Sequence, residues 1–196
     1  MRGLCPFLLL VAGAASSTSV EAQSAQPISF QVSGLFNGVF GDAFTGLQDG
    51  LGVEAQIRYT PSALSIGAGF QYTRHNLGNR MDDARLYGGF VEPRYRIHAG
   101  SNSVAPYLSA RFSLLEVGFS DRNLALSSSF IQVNGGGGLL FRLGSRVNLD
   151  LGATYGYNRL GEGELTNDAS DTEVPVESSS GSNIVLRLGF AVGLGG

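Results

Sequence analysis

The chain has 196 residues, of which 29 are glycine, 10% aromatic and only 15% charged, with a formal net charge of −3. A charged fraction that far below the roughly 25% of an ordinary soluble domain excludes a broad, well-charged aqueous surface, and the net negative charge argues against nucleic acid as a partner. Every basic side chain is arginine, so lysine-dependent phosphate loops, Schiff bases and Ser-Lys dyads are excluded, and the single Cys5 excludes an intrachain disulfide or a cysteine zinc cluster.

The chain opens with Met1-Arg2, a mostly apolar stretch over Leu4 to Ala15, small polar residues, and then Val20-Glu21-Ala22. The apolar stretch is too short for a spanning helix, which needs about 20 residues. The layout is that of a secretory signal. Residues 1–22 are expected to be removed, leaving 23–196 as one domain.

Strict period-two alternation then recurs eight times, the mark of strands whose two faces meet different surroundings. Ile28, Phe30, Val32 and Phe36 begin it; Leu51, Val53, Ala55, Ile57 and Tyr59 follow; then Leu64, Ile66, Ala68, Phe70 and Tyr72. In the fourth run Tyr87, Val91, Tyr95 and Ile97 face one way while Glu92, Arg94 and Arg96 face the other. In the fifth, Leu108, Ala110 and Phe112 share a parity that Val117 and Phe119 break. A β-bulge at Leu114-Leu115 would restore one apolar face and put Glu116 beside Arg111 on the polar one. The last three runs are built on Ile131, Val133, Leu139 and Phe141, on Val147 to Tyr157, and on Ile184 to Val192. Each run reaches the ~9–11 residues that cross a bilayer at a tilt. Long polar connectors at 41–50, 74–84, 120–127 and 161–182 alternate with short turns at 61–63, 98–103 and 144–146, which predicts an eight-stranded antiparallel up-and-down barrel of the all-β class.

Side-chain size decides which face is inside. The polar faces carry mostly Gly, Ser, Thr, Asn and Gln, the apolar faces Phe, Tyr, Leu, Ile and Val. A barrel of this size has an interior that side chains just fill, so the small-residue face belongs inside and the bulky apolar face belongs to lipid. Tyr59, Tyr95 and Phe141 at one set of strand ends, with Tyr72, Tyr87, Tyr155 and Tyr157 at the other, suit two interfacial girdles.

Strand count, connector alternation and segments such as Gly89-Phe90-Val91-Glu92-Pro93-Arg94-Tyr95 and Ala105-Pro106-Tyr107-Leu108 resemble the small outer-membrane barrels of the OmpA transmembrane-domain and OmpX type. The resemblance covers the whole mature chain. It implies the outer membrane of a Gram-negative-type bacterium, with both termini periplasmic. The partners it implies are outer-membrane lipid and lipopolysaccharide, the outer-membrane assembly machinery, and a surface ligand read by the long loops of a monomer. Two departures stand out: Phe190, not the C-terminal residue, is the last aromatic, and no peptidoglycan-binding domain follows the barrel.

The predicted inward set contains Glu54, Arg58, Glu92, Arg94, Arg96, Arg111, Glu116, Arg142, Asp150 and Arg187. Near-balanced charges in a crowded lumen favour mutual pairing, with arginine forking onto carboxylates, over an open path for ions. The run Gly135 to Gly138 lies mid-strand and admits facing side chains instead of cradling phosphate. Among lipid-modifying barrels a rim histidine works with a serine and an acid. His75 is the candidate here, with Ser127, Asp82 and Asp121, because His98 falls in a turn at the opposite end. The default for His75 is a solvated loop residue. The fourth long connector carries Glu162, Glu164, Asp168, Asp171, Glu173 and Glu177, with Pro175 and Ser178 to Ser180. That composition predicts a solvated loop unable to order itself; a cation site would use the same carboxylates, but their spacing is not that of an EF-hand. The expected function is therefore a structural or surface-interaction role with a plugged polar lumen and no cofactor or metal, and not an enzyme. A narrow channel for small solutes and a lipid A-modifying enzyme are the alternatives.

Overall fold

Alternation of this kind closes on itself in the computed structural model, which describes residues 27–77, 83–101, 103–121, 124–161, 163–167, 172–176 and 178–195. Residues 1–22, read as a signal, lie outside that range. The barrel strands are β1 (Ile28–Phe40), β2 (Leu47–Tyr59), β3 (Leu64–Leu77), β4 (Asp83–Arg96), β5 (Val104–Asp121), β6 (Leu124–Arg142), β7 (Val147–Leu160) and β10 (Ser179–Leu194). Two short strands, β8 (Gly163–Asn167) and β9 (Thr172–Val176), lie in the connector between β7 and β10. Each barrel strand pairs antiparallel with its sequence neighbour, β7 pairs with β10, and β1 pairs with β10 from Ile28↔Leu194 to Phe40↔Ser182. The eight-stranded barrel is closed, so its backbone hydrogen bonds are satisfied without a free edge, as a sheet in lipid requires.

Both ends of the described chain and the short connectors lie at one end, the base, where Thr60 N donates to Pro27 O and Gly193 N to Arg146 O. The opposite strand ends form the rim. Burial alternates residue by residue, as in β1, where Ser29, Gln31, Ser33 and Asn37 are buried and Phe30, Val32 and Phe36 exposed. The outer belt adds Ile57, Ile66, Phe70, Val91, Phe112, Ile131, Val133, Leu188 and Phe190, all exposed. A continuous apolar belt is an aggregation surface in water and the solvent-facing surface in a bilayer. Exposed Tyr59 and Tyr95 sit towards the base and exposed Tyr155 and Tyr157 towards the rim.

Three local expectations change. The ladder from β4 to β5 runs in one register from Arg85↔Gly118 to Arg96↔Tyr107, and that from β5 to β6 from Val104↔Phe141 to Asp121↔Leu124. The predicted bulge at Leu114-Leu115 is therefore absent. Leu115 turns inward, because the lumen near the rim is apolar and not uniformly polar. The third connector shortens likewise, since strand pairing reaches Asp121↔Leu124 inside the span read as a loop at 120–127. In the fourth, β8 pairs with the start of β6 (Leu124↔Asn167 to Ser127↔Glu164) and β9 pairs with β8. A segment too poor in apolar residues to build a core is ordered here by backbone pairing onto an existing strand edge, a route that needs no core of its own.

Candidate functional site: the filled lumen

The middle of the lumen is an ionic network centred on Glu92, which is 0% exposed. Glu92 on β4 is held by arginines from four strands. Arg58 Nη2 on β2 lies 3.0 Å from its Oε1, and Arg94 Nε on β4 binds the same oxygen. Its Oε2 takes Arg111 Nη2 on β5 at 2.5 Å and Arg187 Nη1 on β10 at 2.8 Å. Arg111 Nη1 also binds Glu54 Oε2 at 2.6 Å, and Arg94 Nη1 binds Asp150 Oδ2 at 2.9 Å. Asp150 further accepts from Gln31 Nε2 at 2.7 Å and from the Tyr107 hydroxyl at 2.6 Å, while Arg187 Nη2 donates to that hydroxyl oxygen at 3.0 Å. The guanidinium of Arg94 stacks over the Tyr107 ring at 4.5 Å and that of Arg111 over Phe90 at 3.9 Å. Planar, forked guanidiniums suit this crowded multidentate packing, which ammonium groups would not reproduce. Glycines make the room: a Cβ at Gly138 would stand 2.5 Å from the Tyr107 hydroxyl, so the mid-strand glycine run admits that ring.

Towards the rim the charges give way to amides. Asn134 and Asn158 donate to Asn183 Oδ1 at 3.2 and 3.1 Å, and Asn183 Nδ2 donates to Asn37 Oδ1 at 3.0 Å. Asn37 Nδ2 then faces His75 Nε2 at 3.4 Å, with Thr73 Oγ1 3.1 Å from the same nitrogen. His75 Nδ1 lies 2.9 Å from Gln48 O, so this nitrogen carries the proton and Nε2 accepts, a tautomer assigned from its partners. His75 is 0% exposed on β3; the solvated loop residue expected from the sequence is instead a lumen residue, because β3 continues to Leu77. Above the amides the interior turns apolar. Val39, Leu115 and Phe130 pack with Phe44, which the first connector folds inward through the 3-10 turn Asp42–Phe44. The rings of Phe44 and Phe130 meet edge to face at 5.5 Å.

Of the predicted inward set, Glu54, Arg58, Glu92, Arg94, Arg111, Asp150 and Arg187 come together in the network. Arg96 is buried nearer the base and donates to Ser62 O. Arg142 is half-buried at the base end of β6, with Nε donating to Gly144 O at 3.3 Å. Glu116 is a correction: it is exposed on the outer face opposite Tyr87, to which it is hydrogen-bonded, because the absent bulge leaves its parity unchanged. In the acidic connector, Glu164 lies on β8 opposite Pro175, and Glu173 lies on β9 opposite Thr166; Glu162, Asp168, Asp171 and Glu177 fall outside the described residues, as does Asp82. Tyr107, Gln31, Phe90 and the asparagines line the lumen as well, beyond the predicted inward set. Their signal was there: each shares the inward parity of a charged neighbour on its own or a paired strand. Among the described residues no group of three or more His, Cys, Asp or Glu side chains converges on a metal position.

This closed barrel has solved counterparts. Neisserial surface protein A superposes with a TM-score of 0.62 at 20% identity, covering 86% of this chain and 97% of that one. The outer membrane protein OprG from Pseudomonas aeruginosa gives 0.53 at 13% identity, over 87% of this chain and 97% of that one. A major outer membrane protein from Thermus thermophilus gives 0.53 at 15%, over 84% and 98%. The chain thus has the fold of the small eight-stranded outer-membrane β-barrels. No family model and no curated protein matches it.

Proposed function

We propose that this protein is a closed outer-membrane barrel that acts through its rim rather than through its lumen, in a structural or surface-interaction role. The observation that carries this reading is the vertical stacking of the interior: an ionic layer around Glu92, an amide layer around Asn183, and an apolar cap built on Phe44 and Phe130. A solute path would have to break each layer in turn. A catalytic reading finds little support at His75, whose ring is enclosed by Asn37, Thr73 and the Gln48 carbonyl. On this reading residues 1–22 are a signal peptide, outer-membrane lipid and lipopolysaccharide surround the belt, and the assembly machinery inserts the monomer. The base with both termini faces the periplasm of a Gram-negative-type bacterium. The β8–β9 hairpin, with Glu164 and Glu173 on its strands, stands on the outside as the recognition element for a surface ligand.

The arrangement has a direct cellular test. An epitope inserted between β8 and β9 is expected to bind antibody on intact cells, whereas one appended after residue 196 is expected to bind only after permeabilisation. Labelling of the terminal epitope alone on intact cells would reverse the orientation and remove the hairpin as a recognition element.

A further inference from the structure

The buried charges of the lumen do not balance. Among the described residues the buried acids are Glu54, Glu92 and Asp150, and the buried arginines are Arg58, Arg94, Arg96, Arg111 and Arg187, an excess of two positive charges. Arginine stays protonated in proteins, and a buried charge without a counter-charge is costly, so the excess calls for compensation.

Its location is defined. Arg94, Arg111 and Arg187 each reach more than one carboxylate, and Arg58 reaches Glu92. Arg96 reaches none among the described residues and has the Ser62 carbonyl as its acceptor. Arg58, Arg94 and Arg96 line one cavity towards the base, together with Ser29, Ser65 and Asn148. Its volume is about 10 Å³, room for one water-sized particle. Each of the three arginines has a buried nitrogen without a protein partner: Arg58 Nε, Arg94 Nη2 and Arg96 Nε. Ser65 Oγ accepts from Arg58 Nη1 at 3.1 Å, which leaves its own proton to donate. The Asn148 side-chain oxygen is also without a partner, and a half-turn of that amide puts a donor in its place.

We propose that this cavity is a binding site for one small monovalent anion of halide size, held by Arg58, Arg94 and Arg96 with Ser65. A halide is slightly larger than water, so the lining side chains must give by a few tenths of an ångström to seat it, while a cavity of about 10 Å³ is far too small for a tetrahedral oxyanion or a carboxylate attached to a larger molecule. An anion here neutralises half of the excess and gives the unpartnered guanidinium nitrogens charge-assisted acceptors.

The test uses the purified full barrel in detergent, with chloride exchanged for gluconate at constant ionic strength so that screening does not change. The unfolding temperature, followed by the gel shift between folded and heat-unfolded protein, is expected to rise with chloride as binding to the folded state alone requires. Bromide diffused into crystals is expected to give an anomalous peak between Arg58, Arg94 and Arg96. Asn148→Asp supplies a fixed carboxylate and is expected to fold, to match or exceed the native barrel in gluconate, and to lose the chloride dependence. An unfolding temperature identical in chloride and gluconate, a cavity without bromide, or an Asn148→Asp barrel weaker than native in gluconate would each overturn the proposal.

Discussion

Glu92→Gln is expected to lower the stability of the folded barrel by about 3–5 kcal/mol, the cost of breaking a buried ion pair from one side. The substitution keeps the shape of the side chain and removes the charge on which Arg58, Arg94, Arg111 and Arg187 converge. Those guanidiniums remain in the lumen, and the positive excess grows by one. Urea unfolding in lipid vesicles, read as loss of the fast-migrating unboiled band, measures the difference. Glu116→Gln is the matched control. That residue is on the outer face, paired across the strands with Tyr87, and its loss is expected to fall within about 0.5 kcal/mol of native, as surface substitutions do. Equal effects at the two positions would remove Glu92 from the centre of the interior.

The second large effect is on the opposite face. Phe112 is 55% exposed, and its strand partners Val91 and Val133 form part of the same outer belt. An arginine at mid-depth on the lipid face of a barrel costs about 2–4 kcal/mol, so Phe112→Arg is expected to destabilise the vesicle-embedded barrel by that amount. Phe112→Leu keeps an apolar surface in the belt and is expected to cost well under half as much. The sign matters as much as the size. In a soluble barrel an added outer charge would be tolerated or would help solubility. A Phe112→Arg protein that unfolds like the native one in vesicles, or that becomes soluble and monomeric without detergent, would take the belt out of the membrane.

Much of this fold is legible in the sequence because lipid on one side and packed polar groups on the other impose a period of two on every strand. That period places Phe30, Ile57, Val91 and Phe190 outside, and Glu54, Glu92, Asp150 and Arg187 inside. It says nothing about how the interior changes with depth. Alternation alone reads Leu114-Leu115 as a bulge and Glu116 as inward-facing in a uniformly polar lumen, whereas the rim end is apolar around Phe44 and Phe130. His75 sits beside charged Arg74 near a run of loop-like residues, so the sequence reads as a strand ending before the histidine. The ladder between β3 and β4 continues to Asn76↔Asp83 instead, and a Cβ at Gly50 would stand 2.5 Å from the His75 ring, so that glycine gives the imidazole its place. Convergence of four arginines on Glu92 was also beyond the sequence, since parity shows who faces inward and not who meets at the same height. The β8–β9 hairpin is hidden in the sequence for another reason. Composition judges whether a segment can build a core, while this one borrows order from the extended edge of β6.

On the proposed reading the lumen is closed from base to rim, and conductance reads this out. Native protein inserted into a planar lipid bilayer at neutral pH is expected to give no stable single-channel current, with insertion verified by the unboiled gel shift of the recovered protein. Large, steady unitary currents from the native barrel would contradict the closed lumen and make the narrow-channel reading the better one.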